Sequence, residues 1–175
     1  MRPEPKAALA RQAKREPAPL RIVVDTREQA PFTFARFPDV EILRETLKTG
    51  DYSLAGLQDG VAVERKELGD LIACLTHERP RFERELARGR EMIQTGGLFS
   101  VMVEATWEDV ARGRYRSRMH PQAALQSILA FHARYGVAFI LAGNRTAAEY
   151  LTHGLLAKFA REVERQEQTS SGRAA

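Results

Sequence analysis

The sequence predicts an α/β fold on three observations. Short apolar runs of strand length, residues 20–25 (LRIVVD), 98–104 (LFSVMVE) and 137–142 (VAFILA), alternate with longer segments of helical period. Asp59-Gly60 stands between Leu54 and the pair Val61 and Val63, a strong local signal for a β-hairpin. The 175 residues suit one domain with a real core, and no repeat or Gly-rich phosphate loop divides them.

Residues 1–19 are rich in Pro, Ala and charge and read as a mobile basic tail. The 20–25 strand ends in the carboxylate of Asp25, and Thr26-Arg27-Glu28-Gln29 follows. Functional side chains in α/β sheets gather just past strand ends. Asp25 and Glu28 are therefore candidates for an acidic site, with Arg27 to hold phosphate; the competing reading is a solvated loop with an Asp–Arg pair. Residues 40–48 read as a second strand, although their mixed pattern also permits a helix.

Residues 50–70 (GDYSLAGLQDGVAVERKELGD) carry the chemistry. Strand side chains alternate faces, so Glu64 and Lys66 point one way and Val63 and Arg65 the other. A hairpin that brings Asp51 near Glu64 puts two carboxylates and an ammonium in one space. Two carboxylates repel unless a cation lies between them, and oxygen ligands suit a hard ion such as Mg²⁺. A lysine beside that ion orients or deprotonates a water. These are the parts of metal-assisted phosphodiester hydrolysis. Asp70 opens a short helix at 68–75, where a carboxylate either complements the helix dipole or supports Lys66 and the water.

Residues 79–93 form a helix with Phe82, Leu86 and Ile93 inward. Five arginines crowd it, and Glu83, Glu85 and Glu91 pair with them across a turn. Arg79 and Arg81, nearest the acidic stretch, are the phosphate candidates. The 98–104 strand belongs to the core. Thr106 caps a short helix with Asp109 three residues on. Arg112, Arg114, Arg116 and Arg118 then make an exposed basic loop, open to two readings, a nucleic-acid contact or a solvated segment. Residues 121–135 are a helix with Pro121 at its first position and Leu125, Ile128, Leu129 and His132 on one face. The 137–142 strand reads as fully buried. A long amphipathic helix at 146–167 presents Tyr150, Leu151, Leu155 and Phe159, and 168–175 is expected to be a frayed tail. The two apolar late helices either cover the sheet or pair with a second subunit.

Composition bounds the partners. Net charge is +4 and the sequence pI is about 9.5, which suits an acidic partner. The single cysteine, Cys74, excludes an intrachain disulfide and reads as a buried core thiol. No Cys/His cluster suggests zinc, and the four histidines have no spacing for a metal site or triad. No apolar run has the length of a signal core or a bilayer span, so a soluble cytoplasmic protein without a membrane partner is expected.

Three blocks then combine. Asp25-x-Arg27-Glu28, Gly50-Asp51-Tyr52 and Val63-Glu64-Arg65-Lys66-x-x-x-Asp70 together resemble the nuclease domain of the XPF family of structure-selective endonucleases, over residues 20–167. The resemblance implies a central mixed β-sheet flanked by helices, the restriction-endonuclease-like PD-(D/E)xK fold. It implies Mg²⁺ or Mn²⁺ held by Asp51, Glu64 and the Arg65 carbonyl, with Asp25, Glu28 and Asp70 completing the catalytic set around Lys66. It also implies cleavage of branched or flap DNA at junctions, a place in DNA repair, and a homodimer formed through the late helices. The chain ends before the tandem helix-hairpin-helix module common in that family. DNA contact is therefore expected from Arg27, Arg65, Arg79, Arg81, Arg114 and Arg116. The competing readings are a non-catalytic DNA-binding or scaffolding subunit with a nuclease fold, and a resolvase or restriction-type nuclease.

Overall fold

The computed structural model describes residues 19–173. The expected N-terminal tail lies, except for its last residue, outside them. Six strands form one sheet in the order β2-β1-β3-β4-β5-β6. They are β1 (Leu20–Asp25), β2 (Val40–Glu45), β3 (Tyr52–Leu54), β4 (Val61–Lys66), β5 (Leu98–Val103) and β6 (Ala138–Leu141). Only β3 runs antiparallel to its neighbours; the β1–β2, β4–β5 and β5–β6 ladders are parallel. A mixed sheet flanked by helices is what the sequence led one to expect. Because β3 reverses direction, its first residue lies beside the C-terminal ends of β1 and β4. Asp51, Asp25 and Lys66 thus meet at one end of the sheet.

The helices are α1 (Leu68–Leu75), α2 (Arg79–Gln94), α3 (Trp107–Ala111), α4 (Pro121–Tyr135) and α5 (Arg145–Arg173). One face of the sheet packs Ala62, Phe99, Val101 and Val103 against Leu71, Phe82, Leu86 and Phe131, from α1, α2 and α4. The other packs Ile22, Val24, Tyr52, Val63 and Met102 against Ala148 and Leu156 of α5 and the buried Phe32 and Phe34. The alternation of β4 follows the pleat: Ala62 faces the first layer, Val61 and Val63 the second. Helix α2 docks closely because it offers Gly89 to the sheet; a Cβ there would run into the Phe99 ring. Thr106 and Asp109 form the expected reciprocal cap of α3.

Several local expectations need correction. The β3–β4 hairpin forms, but its connection is six residues long and its positive φ is at Gly56 (+81°), not Gly60. Strand β6 is an edge strand and only half-buried, since among the described residues no strand pairs beyond it. On α4 the buried face is Ala124, Ile128 and Phe131, while Leu129 is 51% exposed. On α5 Ala148, Thr152 and Leu156 are buried, while Tyr150 and Leu151 are exposed. The late helices lie on opposite faces of the sheet, so each covers its own half of the core. Helix α5 continues through the expected C-terminal tail to Arg173. Glu162 pairs with Arg165, and the Thr169 and Ser170 hydroxyls bond back to carbonyls one turn earlier, which suits continued helix. Among the described residues no helix is long and apolar enough to cross a membrane.

Candidate active site

An open cavity of about 460 Å³ lies where β1, β3 and β4 meet. Its wall includes Asp25, Arg27, Glu28, Asp51, Glu64, Lys66 and Asp70, so the structure gathers the three sequence blocks around one space. Gly50 makes the approach possible. Its φ is +77°, and a Cβ would stand 2.9 Å from the Ala62 Cβ. That turn carries Asp51 across the sheet end. The Asp51 N–H donates to the Val63 carbonyl (2.9 Å), and its own carbonyl accepts from the Asp25 N–H (2.8 Å). The Oδ2 of Asp51 accepts from the Arg65 N–H at 2.8 Å. Main-chain hydrogen bonds therefore hold Asp51 between β1 and β4.

Glu64 and Lys66, two residues apart on β4, share a face and form an ion pair; their side chains are 7% and 13% exposed. Burial is the main reason that Asp51 is pushed up to about 6, and Glu28 and Glu85 add to it. Burial also raises Glu64 well above the usual carboxylate range, with Asp51 and Glu85 pushing the same way. Burial opposes the charge of Lys66, but the Glu64 carboxylate outweighs it and holds the ammonium above its ordinary range. The centre is thus an acidic cluster neutralised by one ammonium. Its donors are hard oxygens, the chemistry that suits a divalent ion. Among the described residues, no three His, Cys, Asp or Glu side chains are yet gathered closely enough to hold one. Lys66 occupies the Glu64 carboxylate.

Other expected residues have different places. Asp25 is 2% exposed, and its carboxylate accepts four hydrogen bonds, three from Arg27 and one from the Leu47 N–H. Burial opposes its charge, but these bonds prevail and its pKa is lowered. Asp25 anchors the loop after β1; its oxygens are already committed. Arg27 spends two nitrogens on Asp25 and Leu47, although most of its side chain remains exposed. Glu28 caps the Ala30 N–H and faces Arg65. Asp70 is exposed at the rim.

The Arg65 guanidinium, expected among the DNA contacts, is engaged within the protein. The strand turns it to the opposite face, where it is 6% exposed among Glu28, Glu67 and Glu104. Arg79 lies away from the acidic residues of the cavity. It pairs with Glu83 and lies over the Phe131 ring at 4.6 Å, outside the cavity. Arg114 pairs with Asp109 and Glu108 on α3, and neither it nor Arg116 reaches the cavity.

Four charged lining residues escaped the sequence reading: Lys48, Glu67, Glu85 and Arg88. Arg81, Glu85 and Arg88 are spaced by four and three residues, so they form one stripe of α2 that faces the cavity. That spacing was the available signal. It was obscured because eight of the sixteen residues of α2 are charged and offer pairings on every side without naming a face.

The ERCC4 domain model matches residues 24–154, three quarters of the chain. The chain belongs to the ERCC4 domain family. This is the XPF-type nuclease domain that the motifs resemble. Among solved structures, XPF from Aeropyrum pernix is similar at 22% identity and TM-score 0.62, over 78% of this chain and 60% of that one. XPF from Aeropyrum pernix in complex with DNA is similar at 24% identity and TM-score 0.59, over 84% of this chain and 66% of that one. The ERCC4 chain described here therefore shares their fold while spanning less than two thirds of their length. No curated protein matches it in sequence.

Proposed function

We propose that this ERCC4 domain is a divalent-metal-dependent DNA endonuclease that hydrolyses a phosphodiester bond in branched or flap DNA. The observation that carries this reading is the convergence of Asp51, Glu64 and Lys66 in one cavity under the basic side chains of Arg27, Lys48, Arg81 and Arg88. Asp51, Glu64 and the Arg65 carbonyl would hold Mg²⁺ or Mn²⁺. When bound, such an ion supplies Lewis-acid stabilisation of the phosphoryl oxygens and lowers the pKa of a water.

The chain's own groups do the rest. Lys66 is held protonated by Glu64, so it works as an ammonium that orients water and phosphate rather than as a base. Asp25 fixes the loop that bears Arg27 and Glu28. Arg81 and Arg88 face the cavity from a rigid helix and suit the flanking phosphates, contacts that position DNA without reading its bases. The exposed Leu129, Tyr150 and Leu151 support a homodimer built through α4 and α5.

The test is cleavage of labelled flap, fork, bubble and duplex DNAs with and without Mg²⁺. Mg²⁺-dependent nicking near junctions is expected. Asp51→Asn and Lys66→Ala should each slow it by about 10²–10⁴-fold, the range for positioned catalytic groups. Cleavage undiminished in both purified variants would overturn the assignment.

A further inference from the structure

We infer that Glu85, on helix α2, is the third carboxylate of the metal site. This rests on the nuclease reading above and extends it to a residue outside the three sequence blocks.

Glu85 reaches the cavity from a different layer of the fold. Asp51 and Glu64 come from the sheet, and Glu85 comes from the helix packed over it. Glu85 lines the same cavity as Asp51 and Glu64, and its charge is one of the influences that push the Glu64 carboxyl up. It stands on the most arginine-rich helix of the chain, with Arg81 one turn before and Arg88 one turn after, the spacing at which Glu–Arg pairs ordinarily form. Yet among the described residues it takes part in no ion pair. Arg81 turns instead to Glu78, and Arg88 donates to the Thr49 hydroxyl at 2.9 Å. Glu83, two positions away, behaves in the ordinary way and pairs with both Arg79 and Arg134.

Asp51, Glu64 and Glu85 thus line the cavity together with the Lys66 ammonium, which is engaged by Glu64. A carboxylate that pairs with neither neighbouring guanidinium and instead lines a cavity with two other carboxylates is placed for a further cation. The position is also rigid. Phe82, Leu86 and Gly89 of the same helix are buried against the sheet, so Glu85 cannot drift away from the site.

The experiment is calorimetric titration of the whole chain with Mn²⁺ in the absence of DNA, paired with melting of the metal-free protein. Glu85→Gln should weaken Mn²⁺ binding by about tenfold or more, the loss typical of removing a supporting group from a metal site. The same variant should raise the melting temperature of the metal-free protein, because the amide N–H donates to Glu64 where a carboxylate repelled it. Glu85→Asp, which keeps the charge and shortens the reach, should fall between. Glu83→Gln removes the same charge at a neighbouring position and should leave Mn²⁺ affinity unchanged. Wild-type binding with equal affinity in Glu85→Gln would overturn this inference alone. A wild-type chain that takes up no Mn²⁺ at millimolar concentration would overturn the metal-dependent reading together with it.

Discussion

At Asp51, ionisation and stability pull in opposite directions. In the fold its carboxyl titrates near 6, against an ordinary value of 3.8. Between these values the folded state holds more protons than the unfolded one, so stability falls as pH rises. The contribution is fully present below about pH 4 and is lost as pH passes through about 6. Metal-free protein should therefore melt at a lower temperature at pH 7 than at pH 5, and Asp51→Asn should flatten that slope. Saturating Mg²⁺ should flatten it too, since an ion between carboxylates removes the repulsion. A melting temperature constant across the window in wild-type protein would contradict the burial assigned to Asp51. The residue level is also where the sequence was most informative. Asp51, Glu64 and Lys66 were legible because a hairpin and a two-residue alternation are local rules. The fates of Arg65 and Asp25 were not. Whether a charged side chain meets solvent or a buried partner depends on Glu104 and Leu47, which lie 39 and 22 residues away in the chain.

At the scale of elements, α2 sets the width of the cavity because it rests on the sheet at Gly89. Gly89→Ala drives a methyl group into Phe99, and overpacking of this kind costs about 1–3 kcal/mol. It should also lift the stripe of Arg81, Glu85 and Arg88, so Mn²⁺ affinity should fall along with stability, which urea denaturation and calorimetry would show together. Thr106→Ala should cost about 1 kcal/mol through loss of the reciprocal cap, with no change in metal affinity. Strand and helix positions were readable from periodicity. The facing of helices was readable only in part: α4 buries Phe131 and exposes Leu129, and choosing between adjacent apolar residues requires knowing where the sheet lies. Glu85 stayed hidden for the same reason. On a helix so rich in both charges, a pairing partner is always available on paper.

At the scale of the whole molecule, the basic residues divide into two territories. Arg27, Lys48, Arg81 and Arg88 surround the cavity, and Arg112 to Arg118 lie apart beside α3. Each phosphate neutralised on duplex DNA contributes about −0.9 to the log–log dependence of affinity on salt. Arg81→Ala with Arg88→Ala should lower that slope by about two and weaken binding on every sequence. Arg114→Ala with Arg116→Ala should leave the cut position unchanged. An unaltered slope in the first pair would place DNA on another surface. For assembly, light scattering at high micromolar concentration should give twice the chain's mass, and Tyr150→Glu should reduce it to one chain if α5 contributes to the contact.

The loop after β1 is held from the far end of the chain. Arg145, the first residue of α5, donates to the Ala30 and Pro31 carbonyls at 2.7 and 2.9 Å, and Glu149 accepts from the Phe34 N–H at 2.7 Å. The consequence is one of timing. A ribosome makes the loop after β1 more than a hundred residues before the helix that clasps it. Until α5 emerges and docks, the loop after β1 lacks this clasp, so a nascent chain carries the acidic residues long before it carries the closed wall of the cavity.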